Sequence, residues 1–250
     1  MMKIYFASDL HLGAPYITDH RAHETRIVRW LDKIKADADV IYFLGDIFDY
    51  WFEYKHVVPR GFARFLGKIC ELTDAGIEVH FFTGNHDVWM FNYLQSECGV
   101  TVHSKPTTAT YSNKTFLLHH GDGLGNFEPA YNFMKWIFNC HFIQIIYSWL
   151  HPDFTFWFAG VWSRHSRMQH DKHNDPKAFM GPDKEFQLRY AKQLLDAGKK
   201  IDYFVFGHRH IILDYQLESA RVLVLGEWIK TFSYAVFDGS DIKILHYNES

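Results

Sequence analysis

Cysteine is scarce in this chain. It holds three, Cys70, Cys98 and Cys140, an odd number with no C-x-x-C pair, which argues against a disulfide framework and a thiolate zinc site and fits a reducing compartment. An excess of positive charge is also missing, since 26 Lys and Arg against 29 Asp and Glu leave a formal net charge of −3. No global field is available to hold a nucleic-acid backbone, so nucleic acid is not an expected partner, and nothing marks an obligate protein partner. No uninterrupted apolar run reaches the roughly 18 residues of a membrane span. The opening "MMKIYFASDLHLG" meets Asp9 and His11 before any apolar segment could act as a secretory core. The expectation is a cytoplasmic protein with neither leader nor span.

What is present is apolar sequence in short runs. With 48% hydrophobic residues over 250 positions, the chain can bury a substantial core, and it reads as a single domain over 1–250. Five runs suit strands buried on both faces: "KIYFASDLH", "VIYFLGD", "VHFFTGNHD", "TFLLHHGD" and "DYFVFGHRH". Helical patterns at about 19–36 and 60–75 separate the early ones, with Gly76 as a helix stop. After residue 212 short strands follow one another without helices, which predicts a second, largely antiparallel sheet. The fold class expected is α/β, a four-layer αββα sandwich of two mixed sheets.

Residues 127–173 break the pattern. Between Phe127 and Met168, 13 of 42 residues are aromatic, against 18% in the whole chain. Pro129 opens a helix, His151-Pro152-Asp153 stops it, and a second helical run follows from Phe154, which predicts a helical hairpin inserted over the active site. The rings have two readings, packing of the hairpin against the sandwich or a surface for acyl chains, with Arg164, Arg167 and Lys172 near its exit. Such a surface could also rest on a membrane, where Trp and Tyr favour the boundary.

Each buried run ends in polar residues: Asp9-x-His11, Gly45-Asp46-x-x-Asp49, Gly84-Asn85-His86-Asp87, His120-Gly121-Asp122 and Gly207-His208-x-His210. Singly, each has a structural explanation, because Gly-Asp is a common turn, Asn-His-Asp can cap a helix from Val88, and 17 histidines make His-x-His pairs unsurprising. Jointly, at the carboxyl ends of successive strands where α/β sheets bind ligands, they form one constellation. Carboxylate, amide and imidazole without thiolate suit Mn²⁺, Fe²⁺ or Zn²⁺. Asp9, His11, Asp46, Asn85, His120, His208 and His210 are too many for one ion. Two ions about 3.5–4 Å apart, with Asp46 as the bridge, would use them all.

Together these five motifs resemble the calcineurin-like metallophosphoesterase superfamily across nearly the whole chain. The resemblance implies Asp9, His11, Asp46 and His210 on one ion, Asp46, Asn85, His120 and His208 on the other, and His86 beside the reacting phosphate. Within the superfamily, "LGDIFDYWF", "HGDGLG", the insertion after it, and "VLGEW" followed by strands ending "ILHY" are similar to the UDP-2,3-diacylglucosamine diphosphatase family of lipid A biosynthesis. That similarity implies cleavage of an acylated UDP-sugar to UMP and 2,3-diacylglucosamine 1-phosphate, Mn²⁺ as the foremost metal, and peripheral attachment to the cytoplasmic face of the inner membrane. It also implies substrate contacts from Asn85, His86 and His208 and, in the insertion, from Glu128, Tyr131, Ser166, Arg167, His170 and Lys172. One departure stands out, since the best-known members carry Arg where this chain has His86.

A histidine there, held as imidazolium by Asp49, can stabilise phosphate oxygens or protonate a leaving group, whereas Arg can only do the first. A soluble nucleotide or a phosphoprotein is therefore the alternative substrate. A non-catalytic scaffold of the same fold would show missing ligands, and all seven are here.

Overall fold

The computed structural model describes residues 2–125, 129–161 and 179–248, with the backbone alone at 129–131. Strands β1 (Ile4–Ala7), β2 (Val40–Leu44), β3 (Glu78–Phe82) and β4 (Thr101–His103) pair in parallel, because helical crossovers return the chain to the same edge each time. Helix α1 (His20–Ile34) makes the first crossover and α2 (Ala63–Asp74) the second; α3 (Tyr93–Cys98) precedes β4. Asp19 caps α1 by accepting from the Ala22 amide at 2.8 Å, a contact worth about 1 kcal/mol. Ile27, Trp30, Leu31 and Ile34 then bury the inner face of α1.

The second sheet is built from β5 (Thr107–Tyr111), β6 (Lys114–Leu118), β7 (Tyr203–Phe206), β8 (Ile212–Leu217) and β9 (Ala220–Leu225), in the order β5-β6-β7-β9-β8. The tail does not form its own antiparallel sheet, as its turn-linked pattern suggests. Its strands divide: β8 and β9 complete the second sheet, while β10 (Ser233–Phe237) and β11 (Ile242–His246) extend the first beyond β1. Buried β10 has apolar groups on both faces, and it pairs with the equally buried β1 on one side and with β11 on the other, which completes its ladder.

Period-two alternation assigns the layers. On β2, Val40, Tyr42 and Leu44 face the other sheet; together with Phe6, Phe82 and Phe237 of their own sheet they meet Phe116, Tyr203 and Leu223 of the second. Ile41 and Phe43 face outward to Trp30, Phe65 and Phe81 beneath α1 and α2. Helix α7 (Phe186–Asp196) covers the other outer face through Leu188 against Phe204 and Val222. The order helix, sheet, sheet, helix is the four-layer sandwich expected. Emptying one ring position, such as Phe43→Ala, would cost about 3–5 kcal/mol.

The insertion departs from a two-helix hairpin. Its described part has three helices, α4 (Pro129–Asn139), α5 (His141–Ser148) and α6 over 152–161. The first arm breaks at Cys140, whose backbone is extended (φ −71, ψ 113). α6 begins at 152, where proline is tolerated in a first helical turn, so Pro152 starts this helix as well as ending the preceding run. Part of the aromatic excess is structural. Tyr147 packs on Phe52 with ring centroids 4.9 Å apart, Phe156 on Tyr50 at 4.8 Å, and Trp89 Nε1 donates to the Phe138 carbonyl at 3.0 Å. Other rings point away, with Trp136, Trp149 and Trp157 exposed to 65%, 86% and 62%.

Candidate metal centre

Hydrogen bonds continue past the strand ends and zip the motif loops together. Asp9 N donates to Gly45 O at 3.1 Å, His11 N to Asp46 O at 2.9 Å, and Asp49 N returns to Leu12 O at 2.9 Å, which joins the first two loops. Gly207 N donates to His120 O at 2.7 Å, joining the fourth and fifth. The two halves meet at Asp9, whose Oδ2 accepts from Ser8 Oγ at 2.6 Å and from His208 N at 2.9 Å.

These loops are tightly bent. Asp9, His11, Asp46, His208 and His210 all have positive φ, between 47° and 69°. For residues with a Cβ that conformation is costly, about 1–2 kcal/mol each, and it persists only where the surroundings impose it. Two glycines admit the close approach: a Cβ on Gly84 would meet Asp46 Oδ1 at 2.1 Å, and one on Gly207 would meet Ser8 Oγ at 1.8 Å.

The side chains converge as the motif order predicts. Asp9, His11 and His210 form one cluster and Asp46, His120 and His208 a second, in each of which the candidate ligand atoms lie within 4.8 Å of one another. Asp46 Oδ2 stands between them, 3.8 Å from His11 Nε2 and 3.4 Å from His120 Nε2. Asn85 Oδ1 is 3.3 Å from His120 Nε2. Of the nine residues assigned from the five motifs, all nine surround this centre.

The donor chemistry fits a cation. His120 Nδ1 donates to the Leu44 carbonyl at 2.7 Å, so Nε2 is left to face Asn85 Oδ1 and Asp46 Oδ2, where it gives a proton when the ring is charged and would offer its lone pair to a cation when the ring is neutral. His11 turns Nδ1 toward Asp49 Oδ1, 3.3 Å away, and leaves Nε2 facing His210 Nε2 at 3.2 Å. Buried Asp9 Oδ1 faces His210 Nε2 at 3.1 Å, outside good hydrogen-bond geometry. Acceptors aimed at one another repel unless a proton or a cation lies between them.

The electrostatics agree. Burial penalises the Asp46 carboxylate, yet His120, His86 and His11 hold it well below the usual carboxylate range. Burial also opposes charge on His120, but Asp46 and Asp9 push it up to about 10. His208 goes the other way, down to about 4, through burial and the neighbouring His120. His86 forms a third group with His11 and Asp46, its ligand atom within 4.8 Å of theirs, with Nδ1 donating to the Asp49 carbonyl at 3.0 Å and its ring edge-on to His11. Burial works against its charge, and Asp46 and Asp49 raise its pKa nonetheless.

Three polar residues of the site carry no expected role from sequence. Asp87 does not cap a helix; it accepts from Gly84 N, Ile47 N and Phe48 N at 2.7, 2.7 and 3.2 Å, tying the second and third loops together. Burial and Asp46 raise its carboxyl to about 7. Asp122 is buried against Lys135 of α4. Arg209, between the two motif histidines, pairs with Glu185. Asp87 and Asp122 stand within the quoted motifs, but no spacing rule separates a loop tie from a ligand. Glu128, Ser166, Arg167, His170 and Lys172 lie outside the described residues, as do Arg164 and the side chain of Tyr131.

A two-sheet sandwich with this carboxylate–histidine centre at its strand ends defines a class, and the sequence profile of the calcineurin-like phosphoesterases matches residues 2–211. The chain belongs to the calcineurin-like phosphoesterase family and is a metal-dependent hydrolase. Among curated relatives, it is 43% identical to the UDP-2,3-diacylglucosamine hydrolase of Porphyromonas gingivalis over 250 residues, covering 96% of this chain and 95% of that one. With the enzyme of the same name from Actinobacillus succinogenes it shares 25% over 246 residues, covering 97% and 99%. Among solved structures, an archaeal phosphodiesterase superposes with a TM-score of 0.49 at 11% identity, covering 98% of this chain and 99% of that one.

Proposed function

We propose that the chain hydrolyses the pyrophosphate bond of UDP-2,3-diacylglucosamine, releasing UMP and 2,3-diacylglucosamine 1-phosphate, the activity of lipid A biosynthesis. The observation that carries the chemistry is Asp46 Oδ2 between two carboxylate–histidine clusters. The P. gingivalis relative, matched over nearly its full length, supports the substrate.

Asp9, His11, Asp46 and His210 would hold one divalent ion, and Asp46, Asn85, His120 and His208 the other. Oxygen and nitrogen donors without sulfur suit Mn²⁺, Fe²⁺ or Zn²⁺, of which Mn²⁺ is the first choice of this reading. Bound there, the pair supplies Lewis acidity to a phosphoryl group and to water. The protein's own residues do the rest. Asp46 is held by the His86 amide at Oδ1, 3.0 Å away, which leaves Oδ2 to face both clusters. His86, fixed at Nδ1 by the Asp49 carbonyl, offers Nε2; as imidazolium it donates to a phosphoryl oxygen or to the departing oxygen. Asp49 keeps both His11 and His86 in orientation through Oδ1, at 3.3 and 3.5 Å.

The exposed rings of the insertion support a surface for the acyl chains and for the cytoplasmic membrane face on which such a substrate resides. Among the described residues no helix is long and apolar enough to cross a membrane. Incubation with UDP-2,3-diacylglucosamine and Mn²⁺, followed by product analysis, tests the reading. UMP with the sugar phosphate is the expected pair; UDP with free sugar, or equal specificity for the deacylated nucleotide sugar, would overturn the bond or the acyl requirement.

A further inference from the structure

The residue between His208 and His210 occupies an unusual position. Both histidines have left-handed backbone, with φ of 69° and 53°, and Arg209 N bonds back to Gly207 O at 2.8 Å, so the segment is one tight, strained turn. Such turns revert to ordinary backbone unless contacts from outside hold them. Side chains at 208 and 210 converge on the two clusters, while that of 209 reaches the start of α7. There Arg209 Nε donates to Glu185 Oε2 at 3.1 Å and its terminal NH2 nitrogen to Glu185 Oε1 at 3.3 Å, a two-point fork. Glu185 is 1% exposed, so the pair is shielded from screening.

Nearby contacts pull the same way. Gln187 Nε2 donates to Gly207 O at 2.8 Å, and the ring of Phe186 lies 6.1 Å from that of His208. Three consecutive residues of one segment therefore grip the turn from the side away from the clusters. The guanidinium charge is matched by a carboxylate, which separates this arginine from one that captures substrate phosphate.

We propose that Arg209, through its buried fork with Glu185, is a positioning residue that holds the turn aiming His208 and His210 at different ions. The inference rests on the assignment of those histidines as metal ligands. One arginine then sets the geometry of both sites at once, and its loss weakens both.

The test is Mn²⁺ binding, read from the free-ion electron paramagnetic resonance signal during titration of full-length protein. Wild type is expected to bind two ions. Arg209→Ala should bind each at least tenfold more weakly, with turnover restored by excess Mn²⁺ and native circular dichroism retained, although the unpaired Glu185 lowers the melting temperature of the metal-free protein. Arg209→Lys, which keeps the charge but only one contact, should fall between, and Glu185→Gln should weaken binding in the same direction. Two ions bound with wild-type affinity by Arg209→Ala would overturn the inference and leave the metal assignment standing. Should Arg209→Ala fail to fold, Glu185→Gln with unchanged affinity overturns it equally. Fewer than two ions bound by wild type would overturn the metal assignment and this inference together.

Discussion

Lys135, on the first helix of the insertion, places its Nζ 2.7 Å from the carboxylate of Asp122, which is 1% exposed in the loop after His120. The insertion is thus tied by charge to the strand end that carries a candidate ligand. It is tied by aromatic and polar contacts to the loop after Asp49, where Tyr54 OH meets Thr155 Oγ1 at 2.6 Å.

Removing one member of a buried pair costs more than removing both, because the survivor is left charged without a partner. Lys135→Met should lower stability by about 2 kcal/mol and speed deuterium exchange of the amides of α4. Adding Asp122→Asn should recover part of that loss. Purely additive effects in the double-mutant cycle, measured by urea unfolding, would mean that the pair contributes nothing.

Asp46 faces both clusters and Asp9 only one. Metal analysis of purified protein should therefore find about two ions per chain in wild type, near one in Asp9→Ala and well under one in Asp46→Ala, by the two-ion geometry of such centres. Chelation of wild type should lower its melting temperature, since ligands bound only by the folded state stabilise it. Equal metal content in the two variants would refute the bridge.

His86 neighbours His11 and Asp46, and in the proposed function it meets the phosphate rather than an ion. Replacing it with Ala should reduce kcat by about 100-fold or more while leaving metal content intact. A loss within about threefold would remove it from the chemistry.

A pH prediction rests far from the centre. His80 Nδ1 and His103 Nε2 lie 3.1 Å apart between Tyr42 and Phe82, and burial depresses both pKa values, for His103 with help from His80. Between those depressed values and the unfolded value of 6.5, the unfolded chain binds more protons. Stability from this pair is therefore complete above about pH 6.5 and lost as pH falls below it. His103→Gln should flatten the decline in urea midpoint between pH 7.5 and 5.5. A parallel decline in both proteins would rule the pair out as its source.

The five buried strands, the tail strands, the first two crossover helices and the five motif clusters were legible because each depends on local pattern, whereas β4 and β5 carry no such apolar run. Fully apolar runs report burial on both faces, and polar residues at their ends report the edge where the chain turns. The division of the tail between two sheets was not legible, since the patterns of β8 and β10 mark each as a strand without naming the neighbour that completes its ladder. The break at Cys140 was equally hidden, because apolar residues on either side continue the helical pattern without interruption.

The candidate ligands could be named from sequence because metal chemistry selects residue types, and Asp, His and Asn recur at successive strand ends. Their aim could not be read there. The left-handed backbone of Asp9, His11, Asp46, His208 and His210, the lone pairs fixed by Leu44 and Asp49, and the grip of Glu185 on Arg209 all come from residues distant along the chain. Side-chain type is a local property, but orientation is imposed by neighbours that become neighbours only when the two sheets close on each other.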